Sequence, residues 1–305
     1  MKLYTPILKL KRGEINAIDN LKGDTKNKIR PLFYFDDIPN DNIIEKLPNI
    51  FFYDTLGEDG IIDAFKSKIN KDIRAIQVVN NPEDFNINDD ICIRLTTDDF
   101  GDISILNNLN RYNNKSLIID FNKYDSDTIN SNILRYIIRD LEKILRKDWE
   151  YTAVAGTTAP VSMANIGIGT STIDRTEWTI LYKEFLKTFD FINYADYTIT
   201  TPPSITESTY DPRIMDISTK IRYTTDESFL IVKGRSFKKY GGESYYELAK
   251  KVIDSGFFKD KDFSYGDNYI YETSLKKHKG NLTTWITVDI NHHIELVVNQ
   301  LSNLS

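Results

Sequence analysis

Two aspartates, two adjacent histidines and a scatter of lysines and arginines are the residues of this sequence best suited to chemistry. Asp120 closes the apolar run Leu117-Ile118-Ile119-Asp120-Phe121, and Arg94 sits inside Ile91-Cys92-Ile93-Arg94-Leu95. A charge within a buried strand is costly unless it is paired. Lys9 and Lys11 fall on one face of an apolar strand, because strand side chains alternate with a period of two. Asp36, Asp37 and Asp54 end later runs, and Gln77 and Asn80 flank another. Asp196 lies in Ala195-Asp196-Tyr197, Lys233 and Arg235 in Val232-Lys233-Gly234-Arg235-Ser236, and the histidines in Asn291-His292-His293. The chemistry these types support is anion capture by Lys9, Lys11, Arg94, Lys233 and Arg235. Asp120 or Asp196 would transfer a proton or hold a divalent cation through oxygen ligands. Adjacent histidines diverge on a strand or a helix, so His292 and His293 are read as accessory proton donors and not as a joint metal site. A competing reading assigns the same charges to internal salt bridges. Either way, something must bring these dispersed positions together.

The elements that would do so are short apolar runs at 4–11, 29–35, 50–54, 74–79, 91–95, 116–121, 151–155 and 191–199, read as eight strands. Between them lie helical patterns at 128–147, expected to be capped by Ser126 and Asp127, and at 176–188. Strands alternating with helices imply a parallel sheet, and eight such units predict closure into a TIM-barrel-like (β/α)8 barrel, whose ligand site is built at the strand C-termini. Beyond Thr201-Pro202-Pro203 the pattern changes. Segments 221–224 and 229–233 flank the turn-like Thr225-Asp226-Glu227 as an antiparallel hairpin, a helix covers 243–255, and 263–301 is rich in Tyr, Trp, His and Asn. The expectation is one barrel domain over 1–305, with 1–200 as its core and 201–305 as an elaboration packed on it. Gly156 and the glycines near Ile166-Gly167-Ile168-Gly169 match no phosphate-binding or dinucleotide fingerprint and are read as loop glycines.

Composition narrows the partners. The 305 residues are 40% hydrophobic and 28% charged, enough to bury a large core. A net charge of -6, from 45 acidic against 39 basic side chains, gives no global field for nucleic acid, so any contact with a nucleic-acid end would be local. Lys233, Arg235, Lys238 and Lys239 with Tyr240 form the one basic stretch beside an aromatic ring, a solvated face by default. The single cysteine, Cys92, rules out an intramolecular disulfide and fits a reducing compartment. Charges at Lys2, Lys9, Lys11, Arg12 and Glu14 interrupt the N-terminal apolar stretches, so a cytoplasmic protein without a membrane partner is expected.

Several motifs taken together resemble a known family. They are Tyr4-Thr5-Pro6-Ile7-Leu8-Lys9-Leu10-Lys11-Arg12-Gly13-Glu14, Ile29-Arg30-Pro31-Leu32, Arg175-Thr176-Glu177-Trp178, Ala195-Asp196-Tyr197 and Ile221-Arg222-Tyr223-Thr224. Lys233-Gly234-Arg235-Ser236, Ser264-Tyr265-Gly266-Asp267 and the stretch from Thr283-Thr284-Trp285 to Asn291-His292-His293 complete the set. The chain resembles, almost end to end, the bacterial and phage "beta protein" family. The resemblance implies a role in host–phage conflict and supplies no reaction. Glu14, inside the first motif, joins Lys9 and Lys11 in the expected ligand-binding set. The leading expectation is a barrel that takes a phosphorylated or nucleotide-like anion at its mouth, with phosphodiester-directed hydrolysis as the reaction class. The alternative is a non-catalytic module that meets a phage or host protein through Tyr265, Tyr269, Tyr271 and Trp285.

Overall fold

The computed structural model describes residues 2–80, 89–203 and 216–304. Eight parallel strands close into a barrel: β1 (Tyr4–Lys9), β2 (Leu32–Tyr34), β3 (Ile50–Asp54), β4 (Arg74–Val79), β5 (Ile91–Thr96), β6 (Ser116–Lys123), β7 (Tyr151–Thr157) and, after an excursion, the closing strand (Asn193–Asp196). The excursion is β8 (Gly169–Asp174), so the closing strand is β9; it pairs with β7 on one side and β1 on the other, with Pro6 beside Asp196. Each run expected to be a barrel strand is one. Helices pack outside, and the fold is an α/β, TIM-barrel-like architecture.

Strand alternation divides the side chains into two layers. Ile7, Leu32, Phe52, Ile76, Cys92, Ile118, Ala153 and Ala195 point inward and fill the barrel. Tyr4, Leu8, Phe33, Phe51, Ile93, Ile119, Val154 and Tyr194 point outward under the helices. Both faces of every strand are therefore buried, which is why these strands read as continuous apolar runs. The amphipathic Ser131–Leu145 helix seats Leu134, Ile138, Leu141 and Leu145 on the outer layer. Its cap is Asn130, whose side chain accepts from the Asn132 and Ile133 amides, and not Ser126 or Asp127. Those two lie in a turn that Asp125 holds by accepting from the Asp127 amide and the Thr128 hydroxyl.

The predicted hairpin is present as β10 (Ser218–Thr224) and β11 (Ser228–Ser236), with Thr224 opposite Phe229. Of the glycines read as loop residues, Gly167 lies in a loop, Gly156 lies within β7, and Gly169 opens β8, which pairs antiparallel with β11 to make a three-stranded sheet. One face of this sheet packs Ile221, Tyr223, Leu230 and Val232 against the Ser244–Asp254, Tyr265–Ser274 and Leu282–Ser302 helices. The other face sets Phe229 and Ile231 on Ala159, in the segment that follows β7.

The Leu282–Ser302 helix ties this layer to the barrel. Asn281 caps it in a reciprocal pair with Thr284. Along its length Thr287 donates to the Gly13 carbonyl, Asn291 to the Ala17 carbonyl, and Glu295 accepts from the Lys22 amide and the Thr25 hydroxyl. These contacts hold the helix against the β1–β2 connection. Among the described residues no helix is long and apolar enough to cross a membrane.

Candidate functional site

The C-terminal ends of the barrel strands bring inward-facing polar side chains into one group. Arg94, from β5, places Nη2 2.8 Å from Asp54 Oδ2 at the end of β3, and its Nε donates to Asn80 at 3.0 Å. Beside it the Asp120 carboxylate, from β6, accepts the Tyr197 hydroxyl and, at 2.8 Å, the Asn122 amide. Burial pushes the Asp120 carboxyl above its ordinary value, against the pull of Arg94 and of the Tyr197 hydrogen bond. The Tyr197 hydroxyl is pushed well up by burial and by the neighbouring Asp120 charge. A carboxyl with a raised pKa beside a charge partner is the type of group that transfers protons near neutrality.

The rim above is basic. Lys9 ends β1 on its inward face, and the chain then turns tightly, the Lys11 amide donating to the Lys9 carbonyl at 2.8 Å before the Arg12–Asp19 helix begins. The Lys11 amine is lowered by burial and by the Lys9 charge, and raised in part by Glu14 and Asp36. Glu14 itself is raised by burial, with Lys11, Arg222 and Lys9 opposing. Neither lysine makes an ion pair with a carboxylate among the described residues.

Asp196 does not belong to this group. It shares the outward parity of Tyr194, whereas Tyr197, the next residue, turns inward to Asp120. Outside the barrel wall the Asp196 carboxylate accepts from Tyr4 at 2.5 Å, from the Thr198 amide at 2.9 Å and from His293 Nε2 at 3.0 Å. His293 Nδ1 meets the Thr224 hydroxyl at 2.8 Å. Burial alone would raise the Asp196 carboxyl, but His293, Arg175 and the Tyr4 hydroxyl hold it below the usual range. Arg175 is itself fully buried, donating to the Thr225 carbonyl and lying near Glu177, whose carboxyl burial pushes up to about 7. His292 joins a neighbouring network: Nδ1 meets Asp267 at 2.8 Å, Nε2 meets the Thr224 carbonyl, and the ring stacks on Tyr223. Both histidines have no exposed surface.

The anion-binding set is likewise divided. Lys9, Lys11, Glu14 and Arg94 gather at the mouth. Lys233 instead donates to the Met163 and Ile166 carbonyls, both at 2.6 Å, fixing the segment between β7 and β8. Arg235 is exposed and lies over the Tyr240 ring. Among the aromatics considered for a contact surface, Trp285 is 2% exposed and stacks on Tyr245, while Tyr265 is 38% exposed. Among the described residues no group of three or more His, Cys, Asp or Glu side chains is placed to hold a metal ion. Sequence reasoning passed over Tyr197 and Arg222. The inward face of the first follows from the pairing of β9, which the apolar run does not reveal.

This fold and mouth define a TIM-barrel-like α/β protein whose strand ends carry a buried Asp–Arg–Asp–Tyr group beneath a lysine rim. Its family follows from the sequence: the family model described as Beta protein matches residues 68–299, most of the chain, and the chain belongs to that family. No curated protein matches it.

Proposed function

We propose that the barrel mouth binds an anionic ligand, phosphorylated or nucleotide-like, and that Asp120 transfers a proton to or from it, as in a phosphodiester-directed hydrolase. The observation that carries this reading is the pair of neighbouring lysines on the mouth, Lys9 and Lys11, close enough for one charge to depress the other and without a carboxylate ion-pair partner among the described residues. Two like charges held together repel, and an anion between them removes that repulsion. Beneath them Arg94 is charge-balanced by Asp54, which leaves the raised carboxyl of Asp120 as the group suited to proton transfer. The conflict between phages and their hosts, which the sequence resemblance implies, is the setting proposed for this activity.

The test is a thermal-shift titration of the purified protein with inorganic phosphate, nucleoside monophosphates, sugar phosphates and short single-stranded oligonucleotides, with and without Mg²⁺. A ligand that binds the folded state raises its melting temperature by mass action. The reading expects a phosphate-bearing compound to stabilise the native protein and to lose that effect in the Lys9→Ala/Lys11→Ala double variant. Asp120→Asn should keep the binding and lose turnover. Equal stabilisation of native and double-variant protein would place the anion elsewhere and overturn the assignment.

A further inference from the structure

A cavity of about 260 Å³ opens between β10 and the Leu282–Ser302 helix, lined by Lys220, Arg222, Tyr245, Trp285, Ile286 and Asp289. One wall is apolar, formed by Ile286 and by Trp285, whose ring stacks on Tyr245 with centroids 4.3 Å apart. The polar groups opposite are unevenly satisfied. Arg222 Nε donates to Asp289 Oδ2 at 3.1 Å, and its Nη1 reaches the Ile199 carbonyl at 3.4 Å. The other carboxylate oxygen, Asp289 Oδ1, has no hydrogen-bond partner, although the residue is only 1% exposed. The Lys220 ammonium has neither a hydrogen-bond nor an ion-pair partner among the described residues, and burial pushes its pKa down to about 8. Buried polar groups are almost always paired, so the orphaned Asp289 oxygen calls for a partner, and the half-buried Lys220 amine on the same cavity is placed to meet an anion.

We propose that this cavity binds a small carboxylate with a hydrogen-bond donor on the adjacent carbon and an apolar side chain, the α-amino-acid and α-hydroxy-acid class. The ligand carboxylate lies against Lys220 and Arg222, the donor completes Asp289 Oδ1, and the side chain packs on Trp285 and Ile286. The cavity falls just below the usual range of drug-sized sites, roughly 300–1,000 Å³, and so suits a ligand of amino-acid size. It sets Lys220, Arg222 and Asp289 beside an apolar wall, the arrangement that fits a ligand with a donor beside its carboxylate.

Isothermal titration of the full chain tests this with L-leucine, α-hydroxyisocaproate, isocaproate, leucinamide and inorganic phosphate as probes. Leucine or the hydroxy acid should bind saturably. Removing the donor, as in isocaproate, or the carboxylate charge, as in leucinamide, should weaken binding by about tenfold or more each. Lys220→Met should weaken binding of every carboxylate, and Asp289→Asn should shrink the difference between leucine and isocaproate. Asp289→Asn also loosens the Arg222 pair, so Lys220→Met, which leaves that pair intact, decides the matter if the asparagine variant fails to fold. Absence of saturable binding by leucine and the hydroxy acid overturns the proposal. So does unchanged affinity in Lys220→Met, or a preference for phosphate over both.

Discussion

Replacing Asp196 by alanine should destabilise the fold and leave the mouth's ligand binding in place. The carboxylate takes hydrogen bonds from Tyr4, the Thr198 amide and His293, and the site has 1% exposure. Its removal strands these donors where water cannot replace the acceptor. Breaking a buried ionic or hydrogen-bonded pair from one side typically costs about 3–5 kcal/mol, a large share of a total stability of roughly 5–15 kcal/mol. With an unfolding entropy of about 2.1 cal/mol/K per residue, a chain of 305 residues melts about 5–8 °C lower for that loss. Differential scanning calorimetry measures the shift, and titration with the mouth ligand at a temperature where both proteins are folded measures binding. A melting temperature within a degree of the native one, combined with lost binding or turnover, would refute the reasoning. It would return Asp196 to the working site, where the sequence alone had put it.

Two further substitutions probe the appended layer. A Cβ at Gly266 would meet the Val288 carbonyl oxygen at 2.4 Å and His292 at 3.2 Å, because the Tyr265–Ser274 helix lies directly on the backbone of the Leu282–Ser302 helix. Gly266→Ala should therefore lose about 1–3 kcal/mol or more, read as a lower urea midpoint at unchanged slope; an unchanged midpoint would show that the helices are not in contact there. Lys220 has a folded-state pKa lowered to about 8 from 10.5 by burial and by Arg222 and Lys233, with Asp289 opposing. The unfolded chain thus binds the proton more tightly, and native stability rises as pH climbs from about 8 to 10.5. Lys220→Met, free of that penalty, should melt higher than the native protein at neutral pH, with the gain shrinking across the same window. A pH-independent difference would mean the amine is solvated.

The barrel was legible because each of its strands is buried on both faces, which prints an uninterrupted apolar run on the sequence. The strand β8 was not. Its sequence, Gly-Thr-Ser-Thr-Ile-Asp, has a single large apolar residue, and it becomes a strand through pairing with β11 more than fifty residues later. Local propensity carries no trace of such a partner. Arg94, Asp120 and Lys9 were visible at the mouth because a charge that interrupts an apolar run must face something particular. Asp196 interrupts a run in the same way, yet which face it takes depends on the parity of β9 against its neighbours, and this the run does not reveal. His292 and His293 lie on a helix whose residues from Thr287 to Val298 are all buried, polar ones included. Their type suggested donors at the mouth, whereas Thr287, Asn291, His292, His293 and Glu295 each hydrogen bond within the barrel or the appended layer.

The polar fastening of the Leu282–Ser302 helix to the β1–β2 connection also bears on the order in which the molecule assembles. Thr287 reaches back 274 residues to Gly13, and Asn291 the same distance to Ala17, while His293 completes the set of donors to Asp196 on the strand that closes the barrel. During synthesis the seam between β1 and β9 can form its backbone ladder long before this helix has been made, but Asp196 and Tyr4 then lie uncovered beside it. Contacts this distant in sequence are slow to form, and a partly closed barrel that waits for them exposes apolar surface prone to association. The side-chain cover of that seam thus depends on the docked helix, which ties the first strand of the barrel to the last helix of the fold.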